Sequence, residues 1–268
     1  MKLTVVYENH AGFVKGLLGA HGFSAFVEHR GRKVLIDTGA DGDVLLRNME
    51  ALRIEPNSLD YLFITHGHYD HTGGMKALLE ARSKPLKVIA HPRIFQRRIA
   101  LKPRKREIGI PFMREELEGL GAEFVLKEEP FEFAPGLWSS GEIERRTWDR
   151  AVGYIEENGR ITRDIVPDDI ALIVDLGNST AVVTGCGHSG VLNIVWHAED
   201  VLGKPVRALI GGFHLGFAKK EILKDVIERI DAERLYSGHC TGPDAYAFLK
   251  AGLGERIEPL HVGRVIEL

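Results

Sequence analysis

Glutamine is nearly missing from this chain of 268 residues: Gln96 is the only one, against 38 acidic and 35 basic residues. Scarce thermolabile amides combined with abundant charge point to a thermophilic source. Cysteine is scarce as well, with only Cys186 and Cys240. That rules out a disulfide framework and suits a reducing interior. No apolar run reaches the roughly 18 residues that a membrane span needs. The opening MKLTVVYENH carries neither the basic leader nor the apolar stretch of a signal peptide, so the expected compartment is the cytoplasm. Excess charge is lacking too. A formal net charge of -3 offers no electrostatic ground for binding nucleic acid, and the expected partner is a small molecule.

What is present is an ordinary globular composition, 44% hydrophobic and 27% charged. LTVVY (3–7), GFSAFVEH (22–29), KVLIDTG (33–39), LDYLFITH (59–66) and KVIAH (87–91) read as strands. Apolar residues at Val44, Leu45, Met49 and Leu52 give 41–52 a helical rhythm, and 74–82 is a second helix. EFVL (123–126), ALIVDL (171–176) and TAVVTG (180–185) follow as strands, the last two joined by a Gly177-Asn178 turn suited to a hairpin. Helices near 189–199, 218–230 and 243–251 then alternate with strands VRALIG (206–211) and RLYSG (234–238). Strand runs in both halves, each followed by helices, predict an α/β fold with two sheets sandwiched between helices.

The chemistry concentrates in FITHGHYDHTGG, residues 63–74. His66, His68, Asp70 and His71 place four potential ligands within six residues. Three of the chain's 12 histidines fall in that window. Imidazole nitrogen and carboxylate oxygen suit zinc first, and also iron or manganese. Such a His-and-carboxylate set more often keeps an open, catalytic position than a cysteine-closed structural site does. Gly73 and Gly74 predict a helix N-terminus facing the site, favourable for an anion.

The H-x-H-x-D-H-x-G-G pattern, after an apolar strand and about 30 residues beyond the strand ending at Asp37, resembles the metallo-β-lactamase superfamily. The resemblance implies a four-layer αββα fold of two mixed sheets, a single domain over 1–268, and one or two divalent metal ions. It implies His66 and His68 as ligands of a first metal, Asp70 and His71 of a second, and Asp37 as the carboxylate that orients the cluster. His239, in YSGHCTG, resembles the last ligand of the second position. Cys186 stands where most members have a bridging aspartate; it is either a bridging thiolate or a small buried residue. His188 is the candidate to complete the first position. YEN, AHGFSAFVE, LIDTG, GLWSSGEIERR, TGCGHSG, GGFHL and GHCTG resemble a narrower, dihydropterin-synthase-like branch.

His214, in IGGFHL, follows a strand on the same edge; it is read as a proton shuttle, a substrate contact, another ligand or a packed histidine. Residues 93–111 read as a short helix running into a basic loop, with seven Lys or Arg between 93 and 106. Arginine forks bind phosphate oxygens in bidentate fashion. Arg97, Arg98, Arg104 and Arg106 therefore form either an anion clamp over the metals or a solvated loop, and Glu142 and Arg145 are candidates for the pocket wall. The expected function is a metal-dependent hydrolase acting through metal-activated water on a small anionic or phosphorylated substrate. Asp70 would orient the water and His214 would protonate the leaving group. The alternatives are a transferase resembling the dihydropterin ribofuranosylaminobenzene-phosphate synthase, and a metal-bearing sensor without turnover.

Overall fold

The computed structural model describes residues 1–268. Two sheets of seven strands face each other. The first contains Lys2–Tyr7, Ser24–His29, Arg32–Ile36, Tyr61–Phe63, Leu86–Ala90, Ala122–Leu126 and Val265–Glu267. The second contains Phe131–Ala134, Leu137–Ser139, Leu172–Asp175, Thr180–Thr184, Val206–Gly212, Ala232–Gly238 and Ile257–Pro259. Both are mixed, with an antiparallel part and a run of parallel strands.

Burial explains why these strands read as continuous apolar runs rather than as alternating ones. Val34 and Ile36 point into the layer between the sheets, where they meet Leu172, Val174, Ala181, Val183, Ala208 and Ile210. Their neighbour Leu35 points the other way, into a core with Leu45 and Met49 of the helix Gly42–Ala51 and Met75 and Leu78 of Met75–Glu80. Val182 and Leu209 likewise face Leu192, Val195, Val226 and Leu249 from the helices Val191–Leu202, Lys220–Arg229 and Pro243–Leu253. The central strands are buried on both faces, so apolar residues are selected at successive positions. Three cores between four layers give the αββα architecture.

The basic segment departs from the helix-and-loop expectation. After a short 3₁₀ turn at Pro92–Phe95, Arg98–Ala100 pairs antiparallel with Arg106–Glu107. With Tyr154–Glu157 and Arg160–Arg163 they make a third, four-stranded sheet. Three of these strands are largely exposed and polar, and the buried one, Arg98–Ala100, is only three residues long, so none shows in a hydrophobicity pattern. The helix at 74–82 is also shorter than expected. A separate helical turn, Tyr69–Thr72, precedes it. Gly73 and Gly74 serve close packing instead of an opening onto the site: a Cβ there would run into the carbonyl oxygens of Ala40 and Thr38.

Candidate metal centre

The parallel strands put the chemistry at one edge. Thr184 pairs with Gly211, and Gly212 with Gly238, so the loops that leave these strands start side by side. They carry Cys186 and His188, then His214, then His239 and Cys240. Opposite them, the strand Tyr61–Phe63 of the first sheet runs into His66 and His68, and the turn Tyr69–Thr72 carries Asp70 and His71.

Two ligand sets result. His66, His68 and His188 form one; Asp70, His71, Cys186 and His239 form the other, with the donor atoms of each set within 4.8 Å of one another. All seven side chains are buried. Around the second set, Asp70 Oδ2 lies 3.4 Å from His239 Nε2 and 3.8 Å from His71 Nε2, and Cys186 Sγ lies 3.2 Å from His71 Nε2. Metal bonds of about 2.0 Å to nitrogen or oxygen and about 2.3 Å to sulfur, at tetrahedral angles, require donors about 3.3–3.6 Å apart.

The ring tautomers fit a metal as well. His71 Nδ1 lies 2.7 Å from Asp37 Oδ2, His188 Nδ1 2.8 Å from the Arg150 carbonyl and His239 Nδ1 2.9 Å from Asn9 Oδ1. These oxygens accept, so each Nδ1 donates and each Nε2 keeps its lone pair free. Nε2 of His66, His68, His188 and His239 is buried without any hydrogen-bond partner. Four orphaned buried nitrogens are costly unless a cation takes them. The residues present thus fit one or two divalent ions.

Burial holds His66 and His188 well below the ordinary imidazole range and pushes His68 down to about 3. These rings are neutral and ready to ligate. His239 differs: against the burial penalty, Cys240 and Asp70 raise it to about 9, so a proton and a metal compete for its Nε2. Asp70 is buried too, yet His71, His21 and His239 hold it well below the carboxylate range. Burial pushes the Cys186 thiol up, so its thiolate form depends on a cation beside it.

A cavity of about 420 Å³ opens onto both sets, lined among others by His68, Asp70, Cys186, His188, His214 and Arg106. Of the basic segment, Arg106 reaches this wall. Arg98 does not: it is fully buried, with Nε 2.8 Å from Asp164 Oδ2 and its Nη2 on Asp168. Asp168 in turn accepts from the Gly67 amide at 2.8 Å. Arg98 therefore braces the loop between His66 and His68 and is not available as an anion clamp. Arg97 is exposed and paired with Glu107 and Glu156, and Arg104 is exposed. Arg145 donates to the carbonyls of Ile165 and Val166, and exposed Glu142 lies 3.9 Å from His91, neither of them on the cavity wall.

Three residues escaped the sequence reading. His21 lies 3.2 Å from Asp70 Oδ2 and lines the cavity. Asn9 orients His239, and Cys240 lines the cavity beside it. His21 and Asn9 are lone polar residues whose partners lie far along the chain; Cys240 had only its place next to His239 as a signal.

Comparison with known proteins agrees with this geometry. The metallo-beta-lactamase superfamily model matches residues 18–202. The chain is 31% identical to the 7,8-dihydropterin-6-methyl-4-(beta-D-ribofuranosyl)-aminobenzene-5'-phosphate synthase of Methanocaldococcus jannaschii, covering 100% of this chain and 96% of that one. Among solved structures it is similar to Tm1679, described as a metal-dependent hydrolase of the beta-lactamase superfamily. The TM-score is 0.86 at 25% identity, over 100% of this chain and 99% of that one. Zn(2+)-bound PqqB from Methylobacterium extorquens has the same fold, with a TM-score of 0.61 at 13% identity and full coverage of both chains. By its family match and its full-length relative, this chain belongs to the metallo-β-lactamase superfamily.

Proposed function

We propose that this protein is a metal-dependent hydrolase of a small anionic, phosphorylated substrate. The observation that carries the reading is the set of four buried histidine Nε2 atoms without partners, gathered under one cavity with Arg106 in its wall. His66, His68 and His188 would hold one ion, and Asp70, His71, His239 and Cys186 the other, zinc being the first choice. Such ions supply Lewis acidity toward a phosphoryl or carbonyl oxygen and lower the pKa of water.

The chain's own groups do the rest. The second carboxylate oxygen of Asp70 accepts a hydrogen bond from the attacking water and sets its direction. Arg106 binds the substrate's anionic group, and the cavity wall limits water around it. His214, whose ring centroid lies 4.3 Å from that of His188, donates a proton to the leaving oxygen. The test is turnover of 4-nitrophenyl phosphate and bis-4-nitrophenyl phosphate by zinc-loaded protein. His68→Ala and Asp70→Ala are expected to abolish it while leaving a folded chain. Full activity in the metal-free double variant would overturn the reading.

A second reading is a transferase, favoured by full-length similarity to the M. jannaschii synthase. The same side chains would then hold a pterin pyrophosphate while the amine nitrogen of a ribofuranosylaminobenzene phosphate attacks the pterin's methylene carbon, loses its proton and displaces pyrophosphate. Pyrophosphate release that requires the aminobenzene co-substrate, with no turnover by water alone, would select this reading over hydrolysis.

A further inference from the structure

We propose that Cys186, His214 and Cys240 form a third, thiolate-rich metal position beside the pair, suited to a thiophilic divalent ion such as zinc, with Cys186 shared between it and the second position. Their donor atoms lie within 4.8 Å of one another, and this set is distinct from the other two apart from Cys186. All three side chains line the metal cavity, so an ion has a path to them.

Three further observations support the site. The Nδ1 of His214 is buried and has no hydrogen-bond partner. His214 itself is held at φ 47, and Arg150 Nε donates to its carbonyl at 2.9 Å. A non-glycine residue in the left-handed region is uncommon, and where it occurs the surrounding structure imposes it. The Cys240 sulfur accepts from the His214 amide at 3.2 Å and lies 3.4 Å from the Cys186 carbonyl, contacts that hold it between the other two donors. Gly212 leaves the space in which that sulfur sits: a Cβ there would come within 2.6 Å of Cys240 Sγ.

Two sulfurs and one imidazole make a soft donor set that selects zinc over magnesium or calcium, and three protein ligands leave a fourth position open. As the ion binds, the Cys240 thiol gives its proton to solvent. Cys186 would then be the thiolate shared by two ions. This gives the cysteine a positive role where the superfamily usually carries a carboxylate.

The inference rests on the two metal positions proposed above and makes His214 a ligand in place of the proton donor named there; the experiment separates their fates. Metal-stripped protein is saturated with cobalt(II), freed of excess by gel filtration, and measured for cobalt per chain and for thiolate-to-cobalt absorption in the near ultraviolet. The intact chain is expected to hold three equivalents. Cys240→Ser and His214→Ala are each expected to hold two, with the thiolate absorption of Cys240→Ser reduced by more than half. Two equivalents in all three proteins with unchanged absorption would overturn the third position and leave the pair standing. Two equivalents throughout with reduced absorption in Cys240→Ser would also overturn it, by making Cys240 a ligand of the second position. Failure to hold any cobalt in the intact chain would sink both. Circular dichroism melts of the two variants check that each is folded.

Discussion

Asp37 Oδ2 stands 2.7 Å from His71 Nδ1 and receives the Thr65 hydroxyl at 2.7 Å, while Asp37 Oδ1 takes the Thr65 amide at 2.8 Å. One buried carboxylate thus ties the end of the strand before it to the ligand loop and turns His71 Nε2 toward Asp70 and Cys186.

Asp37→Ala should therefore weaken zinc at the second position by about 10- to 100-fold, the usual loss when a ligand's orienting partner is removed. Competition against a fluorescent chelator reads the affinity directly. An unchanged affinity would show that the ring is held by packing alone.

Gly185 lies where the two sheets meet the site. A Cβ on it would collide with Thr65 Oγ1 and come within 3.0 Å of Asp37 Oδ2 and His71 Nδ1. Gly185→Ala is expected to cost about 1–3 kcal/mol in urea unfolding and to lower zinc content. Loss of stability with full zinc binding would mean that the loop, and not the ligand, yields.

Arg98, with Asp164 and Asp168, is a buried ionic cluster. Removing one partner leaves buried charge uncompensated, so Arg98→Ala should destabilise the fold by about 3–5 kcal/mol. Exposed Arg104→Ala should stay within about 0.5 kcal/mol. Equal small effects in both would put Arg98 back among the solvated residues of the basic segment.

Burial lowers the pKa of His29 below the ordinary imidazole value of about 6.5, so the unfolded chain takes up a proton there before the folded chain does. Its contribution is complete above about pH 6.5 and falls as pH drops from there toward the folded pKa. His29→Gln should flatten the acid side of the stability profile in urea titrations at successive pH values. A parallel profile for the two proteins would contradict the assignment.

Much of this was written locally in the chain. The strands buried on both faces announce themselves as apolar runs, and four ligands in six residues leave few alternatives to a metal. Other features depend on distance along the chain. Arg98 looks like a surface cation until Asp164 and Asp168, 66 and 70 residues later, enclose it. Asn9 reaches His239 across 230 residues. The third sheet escaped because its strands, two to four residues each, are too short to carry a hydrophobic period.

The ligands come from both sheets: His66, His68, Asp70 and His71 from one, Cys186, His188 and His239 from the other. The apolar layer of Val34, Ile36, Val174, Val183 and Ile210 therefore acts as a spacer that sets how far apart the two halves of the coordination shell stand. Adding or removing a methyl group in that layer would act as a remote adjustment of metal affinity. Breadth of metal choice would then be governed as much by the thickness of the hydrocarbon interior as by the donors at its edge.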